Sequence, residues 1–167
     1  RCITDAAVLL PMPQPTNPPT QFNAYWTGSG ITNVGTNYYF DPATAGAGSF
    51  TLNYIYETGA TCAASDTIHV IVGGLPVVNA GANAGVCGGD TISLSGSVQA
   101  GTGTPPFVYQ WSPATGLSST TILNPEYASV PTGLAVPVIQ PITLTVTDSY
   151  GCQVSDVVDV SVNPIPN

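Results

Sequence analysis

The chain has no lysine, and its one arginine is Arg1, so a single basic side chain stands against nine acidic residues in 167. The formal net charge is −8. Nucleic-acid backbones and anionic membrane surfaces are held by Lys and Arg, so this balance counts against both as partners. Charge of either sign is scarce, at 6% of residues against roughly a quarter in ordinary soluble domains. Histidine is limited to His69, and no Cys-x-x-Cys pair, Gly-x-Ser-x-Gly turn or phosphate-cradling loop occurs. Zinc binding and nucleophile-plus-base catalysis therefore lack their usual ligands and partners. No apolar run reaches the roughly 18 residues that would read as a transmembrane helix. No stretch carries apolar residues at helical spacing for three turns. Helices are not expected.

What remains is β. Eighteen Gly and sixteen Pro are scattered without a collagen period. Between them lie short runs of Val, Ile, Thr and Tyr, which fit a pleated, half-buried surface. Ile68, Val70 and Val72 alternate with His69 and Ile71, and Val158, Val160 and Val162 alternate with Asp159 and Ser161. Ile92, Leu94 and Val98, then Ile142, Leu144 and Val146, follow the same period, as do Phe50, Leu52, Tyr54 and Tyr56. Such alternation buries one face of each strand. At 43% hydrophobic, a disordered chain would leave too much apolar surface in water. The surface is then expected to consist of Thr, Ser, Asn, Gln and Gly.

An internal repeat organises these strands. Residues 62–72 and 152–162 both fit Cys-x-x-Ser-Asp-x-[Ile/Val]-x-Val-x-Val without a gap, each matched pair standing 90 apart, as 152 less 62. Cys2 to Trp26 and Cys87 to Trp111 are both steps of 24 residues, as 26 less 2 and 111 less 87. Asp41-Pro42 and Asn124-Pro125 follow, then Thr51-Leu52 and Thr143-Leu144, then Gly59 and Gly151 before the second Cys. Repetition at this length signals a tandem array. The expected domains are 1–74, an immunoglobulin-like repeat with its opening strand missing, and 75–167, a repeat with a C-terminal linker at Asn163-Pro164-Ile165-Pro166-Asn167. With no signal peptide visible at Arg1-Cys2, the chain reads as part of something longer.

Two cysteines per repeat suggest the disulfides Cys2–Cys62 and Cys87–Cys152, which imply an oxidising compartment. Trp26 and Trp111 are either core residues beside those bridges or exposed aromatic platforms for a sugar, and their recurrence at one position favours the core. Asp66, Asp90, Asp148 and Asp156 lie near strand ends, where they are either turn formers or calcium ligands. Calcium is the one cofactor this pattern admits. Tyr25, Tyr38, Tyr39 and Tyr127 are either packing residues or aromatic contacts for a partner.

The runs Trp111-Ser112-Pro113-Ala114-Thr115-Gly116-Leu117-Ser118-Ser119 and Thr143-Leu144-Thr145-Val146-Thr147-Asp148-Ser149-Tyr150-Gly151-Cys152 resemble the PKD-like and immunoglobulin-like repeats of giant Bacteroidota surface proteins. Ala80-Gly81-Ala82-Asn83-Ala84-Gly85-Val86-Cys87-Gly88-Gly89-Asp90 resembles the opening of such a repeat, and Trp26-Thr27-Gly28-Ser29-Gly30-Ile31 with Phe40-Asp41-Pro42-Ala43-Thr44-Ala45-Gly46-Ala47-Gly48 a sister type. The resemblance implies tandem β-sandwiches in a secreted cell-surface protein of adhesion or gliding, exported by the type IX system. The leading expectation is a non-catalytic stalk or filament repeat whose partners are neighbouring repeats or further copies in a homo-polymer. A glycan- or protein-binding adhesin module is the alternative, followed by an accessory module of a secreted enzyme.

Overall fold

The computed structural model describes residues 1–13, 22–58, 62–130 and 136–165. Gly59 of the repeat match, and Pro166 and Asn167 of the closing linker, lie outside the described residues. The chain divides into two compact units, Arg1–Gly74 and Leu75–Asn167.

Unit 1 holds β1 (Val8–Leu9), β2 (Asn23–Thr27), β3 (Ile31–Val34), β4 (Asn37–Phe40), α1 (Pro42–Ala45), β5 (Gly48–Thr58) and β6 (Cys62–Val72). Its two sheets run β1-β4-β3 and β2-β5-β6, all antiparallel. Leu10, Trp26, Phe40, Leu52, Tyr54 and Val72 form the core between them. The helix is one turn, started by Asp41, whose carboxylate accepts from the Ala43 amide at 3.0 Å with Pro42 in the first position. β6 departs from its expected buried stripe: Val72 is buried, but Ile68 is 37% exposed. The facing strands β1, β3 and β4 are two to four residues long and cannot cover an eleven-residue partner.

Unit 2 holds β7 (Val78–Asn79), β8 (Ala84–Cys87), β9 (Thr91–Ser93), β10 (Ser97–Val98), β11 (Val108–Ser112), β12 (Glu126–Ala128), β13 (Val138–Thr147) and β14 (Gln153–Asn163). One sheet runs β11-β13-β14-β8, with β8 parallel to β14; facing it are the pairs β10-β7 and β12-β9. The expected strand over 92–98 is thus two strands that join different partners. The break falls at Gly96, where a Cβ would come within 2.7 Å of the Leu123 carbonyl. Along β13 and β14, Ile142, Leu144, Val146, Val158, Val160 and Val162 are buried at every second position, packed around Trp111. Three adjoining strands carrying a buried Trp, opposite a sheet begun by the first strands, constitute an immunoglobulin-like sandwich.

The two units repeat one register. Trp26 faces Tyr54 and Tyr54 faces Asp66; Trp111 faces Leu144 and Leu144 faces Asp156. Tyr54 is therefore the counterpart of Leu144, and Leu52 of Ile142. The Thr51-Leu52 and Thr143-Leu144 match is out of step by two residues, a slip that a period-2 pattern hides because the face is unchanged.

Two core tyrosines give the fold an alkaline limit. Burial raises the Tyr54 and Tyr127 hydroxyls above their ordinary value of 10.0. The unfolded chain then releases these protons at lower pH than the native one, so stability falls as pH rises from about 10 through the native values. Melting temperature is expected to decline above pH 10, with a shallower slope in Tyr127→Phe. Identical slopes in both proteins would contradict the assignment.

Candidate functional sites

Neither expected bridge is formed: Cys62 and Cys87 are free and exposed, while Cys2 and Cys152 are disulfide-bonded. The strand register gives the reason. Cys2 bridges Gly73 in parallel, just past the end of β6, whereas Cys62 is the first residue of β6. Eleven extended residues lie between those points, and at about 3.3 Å each they span roughly 35 Å, against a Cα separation below about 7 Å in a disulfide. Unit 2 repeats the arrangement. Cys87 faces Asn163, the last residue of β14, and Cys152 immediately precedes its first residue, Gln153. In each unit the first cysteine marks one end of the final strand and the second cysteine the other.

Cys87 is firmly placed. The Ser129 hydroxyl lies 2.8 Å from the Cys87 carbonyl and 2.9 Å from that of Asp90, and it accepts from the Gly89 amide at 3.1 Å. Gly88 donates to the Asn163 carbonyl at 2.9 Å, tying the same turn to the end of β14. Sequence reasoning missed Ser129, a buried serine about forty positions from the turn it organises, and no local signal marks it.

Of the four candidate calcium ligands, Asp66, Asp148 and Asp156 accept from backbone amides, and Asp90, among the described residues, does not. Asp148 is 5% exposed and accepts from the amides of Thr104, Tyr150 and Cys152 at 3.0, 2.9 and 2.8 Å. Asp156 accepts from the Ala80 amide at 2.8 Å, and Asp66 from the adjacent Thr67 amide at 2.8 Å. Asp90 is exposed in the turn after Cys87. Among the described residues, no three His, Cys, Asp or Glu side chains come together in a way that could hold a metal ion.

Both tryptophans are core residues. Trp111 is fully buried and donates to the Ile122 carbonyl at 3.0 Å; Trp26 donates to that of Pro11 at 2.8 Å. The tyrosines divide. Tyr127, weighed as a surface contact, is 5% exposed and belongs to the core of unit 2, because β12 turns it inward between Glu126 and Ala128. Tyr25, Tyr38 and Tyr39 are half-buried in unit 1. Tyr25 donates to Glu57 at 3.1 Å, and that hydrogen bond is the main reason its hydroxyl titrates above the ordinary value. His69 is exposed, with Nδ1 3.1 Å from the Thr51 hydroxyl. An open groove of unit 2 is lined by Asn83, Ala84, Gly85, Ile139, Asp159 and Ser161, where Asp159 is the one ionisable group.

No family model and no curated protein matches the chain. Among solved structures, the Ig1-2 module of the Drosophila receptor protein tyrosine phosphatase DLAR is 12% identical, over 85% of this chain and 84% of that one, with a TM-score of 0.38. Drosophila N-cadherin EC1-3 is 11% identical over 99% of this chain and 63% of its own, with a TM-score of 0.41. A nucleoside hydrolase-related hypothetical protein from Saccharophagus degradans is 20% identical over 55% of this chain and 25% of its own, with a TM-score of 0.37. At these values the likenesses add nothing to what the strand register shows.

Proposed function

We propose that the chain is a pair of non-catalytic structural repeats from an extracellular stalk or filament protein of the cell surface, serving adhesion or motility. The observation that carries this reading is the recurrence of one three-strand block, β2-β5-β6 and β11-β13-β14, in the same register with a tryptophan at the same place. Repetition of a scaffold extends length, whereas a catalytic site requires groups that converge. Asp41, Asp148 and Asp156 hold backbone amides, and Tyr54 and Tyr127 belong to the cores. Origin in a Bacteroidota cell and export by the type IX route rest on the sequence resemblance alone.

The half-buried Tyr25, Tyr38 and Tyr39 of unit 1 favour a second reading, an adhesin module that binds a glycan or protein. Electron microscopy of native material separates the two. Fibrils with a regular axial spacing are the expected result. Isolated stalks ending in a distinct tip would favour the adhesin, and discrete compact particles would overturn both.

A further inference from the structure

The four cysteines are of two types. Cys2 and Cys87 stand beside the end of a final strand, and Cys62 and Cys152 stand at its start. One of each type is disulfide-bonded, Cys2 and Cys152, and one of each type is a free, exposed thiol, Cys87 and Cys62. A first-type cysteine cannot close onto the second-type cysteine of its own unit, because the whole length of β6 or β14 separates them. Both positions nevertheless accept a disulfide, since their counterparts carry one. The free thiols differ from ordinary buried structural cysteines in being exposed at opposite ends of equivalent strands.

We propose that Cys87 of one copy of this chain forms a disulfide with Cys62 of the next, linking copies head to tail. The join is first type to second type, and it leaves Cys62 of the first copy and Cys87 of the second free to continue. A join between two different surface positions is heterologous, and unless it closes into a ring it generates an open filament. The inference deepens the structural reading above by naming the partner as a second copy and the bond as covalent.

The chemistry is thiol–disulfide exchange with a small disulfide oxidant such as oxidised glutathione. The Cys87 thiolate attacks the oxidant and expels one glutathione thiolate, which takes up the proton that Cys87 released. The Cys62 thiolate then attacks the Cys87 sulfur of the mixed disulfide and expels the second. Two protein thiols are oxidised to one disulfide, and one oxidised glutathione is reduced to two thiols.

The test uses the full chain at high concentration in oxidised glutathione, resolved on non-reducing gels, with the linked peptides identified by mass spectrometry. The expected result is a ladder of multimers that collapses on reduction and yields the peptide pair Cys62–Cys87. Cys62→Ser and Cys87→Ser alter exposed side chains and should fold. Each alone should stop at slow symmetric dimers, whereas an equal mixture should form dimer faster by on the order of tenfold, as expected of a complementary encounter over a random one. Equal rates for the mixture and the single variants would overturn the proposal, as would a monomer closed internally or thiols that stay free. Native fibrils whose Cys62 and Cys87 remain reduced would refute the bridge and leave the array standing.

Discussion

Replacing Trp111 with alanine is expected to lower the stability of unit 2 by about 3–5 kcal/mol, the usual cost of emptying a large aromatic site. The side chain is fully buried on β11, with Leu144 opposite it and Ile142, Val146 and Val160 in the same core. Its removal opens a cavity and also strips the Ile122 carbonyl of its donor. For a unit of this size, that loss corresponds to a fall in melting temperature of roughly 15–30 °C. Small domains carry only about 5–15 kcal/mol in total, so the variant should be partly unfolded when warm. Trp111→Phe isolates the hydrogen bond: it keeps most of the ring and should cost about 1–3 kcal/mol, set mainly by the orphaned carbonyl. The two cores share no residue, so Trp26 fluorescence follows the transition of unit 1 separately. An unaltered calorimetric profile for Trp111→Ala would be incompatible with this core.

Part of this core is legible in the amino-acid order alone. The strand alternations at Val158, Val160 and Val162 and at Ile142, Leu144 and Val146 fall on buried faces, because period 2 is a property of the backbone. The tryptophans recur at 24 residues beyond the first cysteine, and both are core residues. Sulfur pairing is not legible in the same way. A count of two cysteines per repeat suggests closure within it, but pairing depends on where each stands along a strand, and β6 and β14 hold their two at opposite ends. The two-residue slip between Leu52 and Leu144 escapes for a related reason, since a shift by one full pleat preserves every apolar position. Tyr127 reads as a loop aromatic because β12 has only three residues, too few to show an alternation. Ser129 and Asp148 act on segments far away in sequence, where no local pattern exists to mark them.

Asp148→Ala is expected to have the second large effect, a loss of about 3–4 kcal/mol in the stability of unit 2. Asp148 follows Thr147, the last residue of β13, and starts the turn into β14; its own amide donates to the Cys152 carbonyl at 2.9 Å. One carboxylate oxygen accepts from the Tyr150 and Cys152 amides, which shapes the turn. The other accepts from the Thr104 amide, and the Thr104 carbonyl in turn accepts from Ser149 at 2.9 Å, so the loop before β11 is clamped to the hairpin tip. Hydrogen bonds to a charged group contribute about 1.5–3 kcal/mol each, and three that share one side chain add to less than their sum. Alanine leaves three amides facing a space with no acceptor. Asp148→Asn is the informative comparison. The asparagine side chain can keep the pair of bonds to Tyr150 and Cys152 through its carbonyl oxygen, but its NH₂ group then meets the Thr104 amide donor to donor. This variant should therefore cost about half as much as alanine and should loosen the 104 loop selectively, seen as faster amide exchange at Thr104 than at Cys152. If the two substitutions were equally mild and Thr104 stayed protected, the clamp would not be what holds this end of the sandwich.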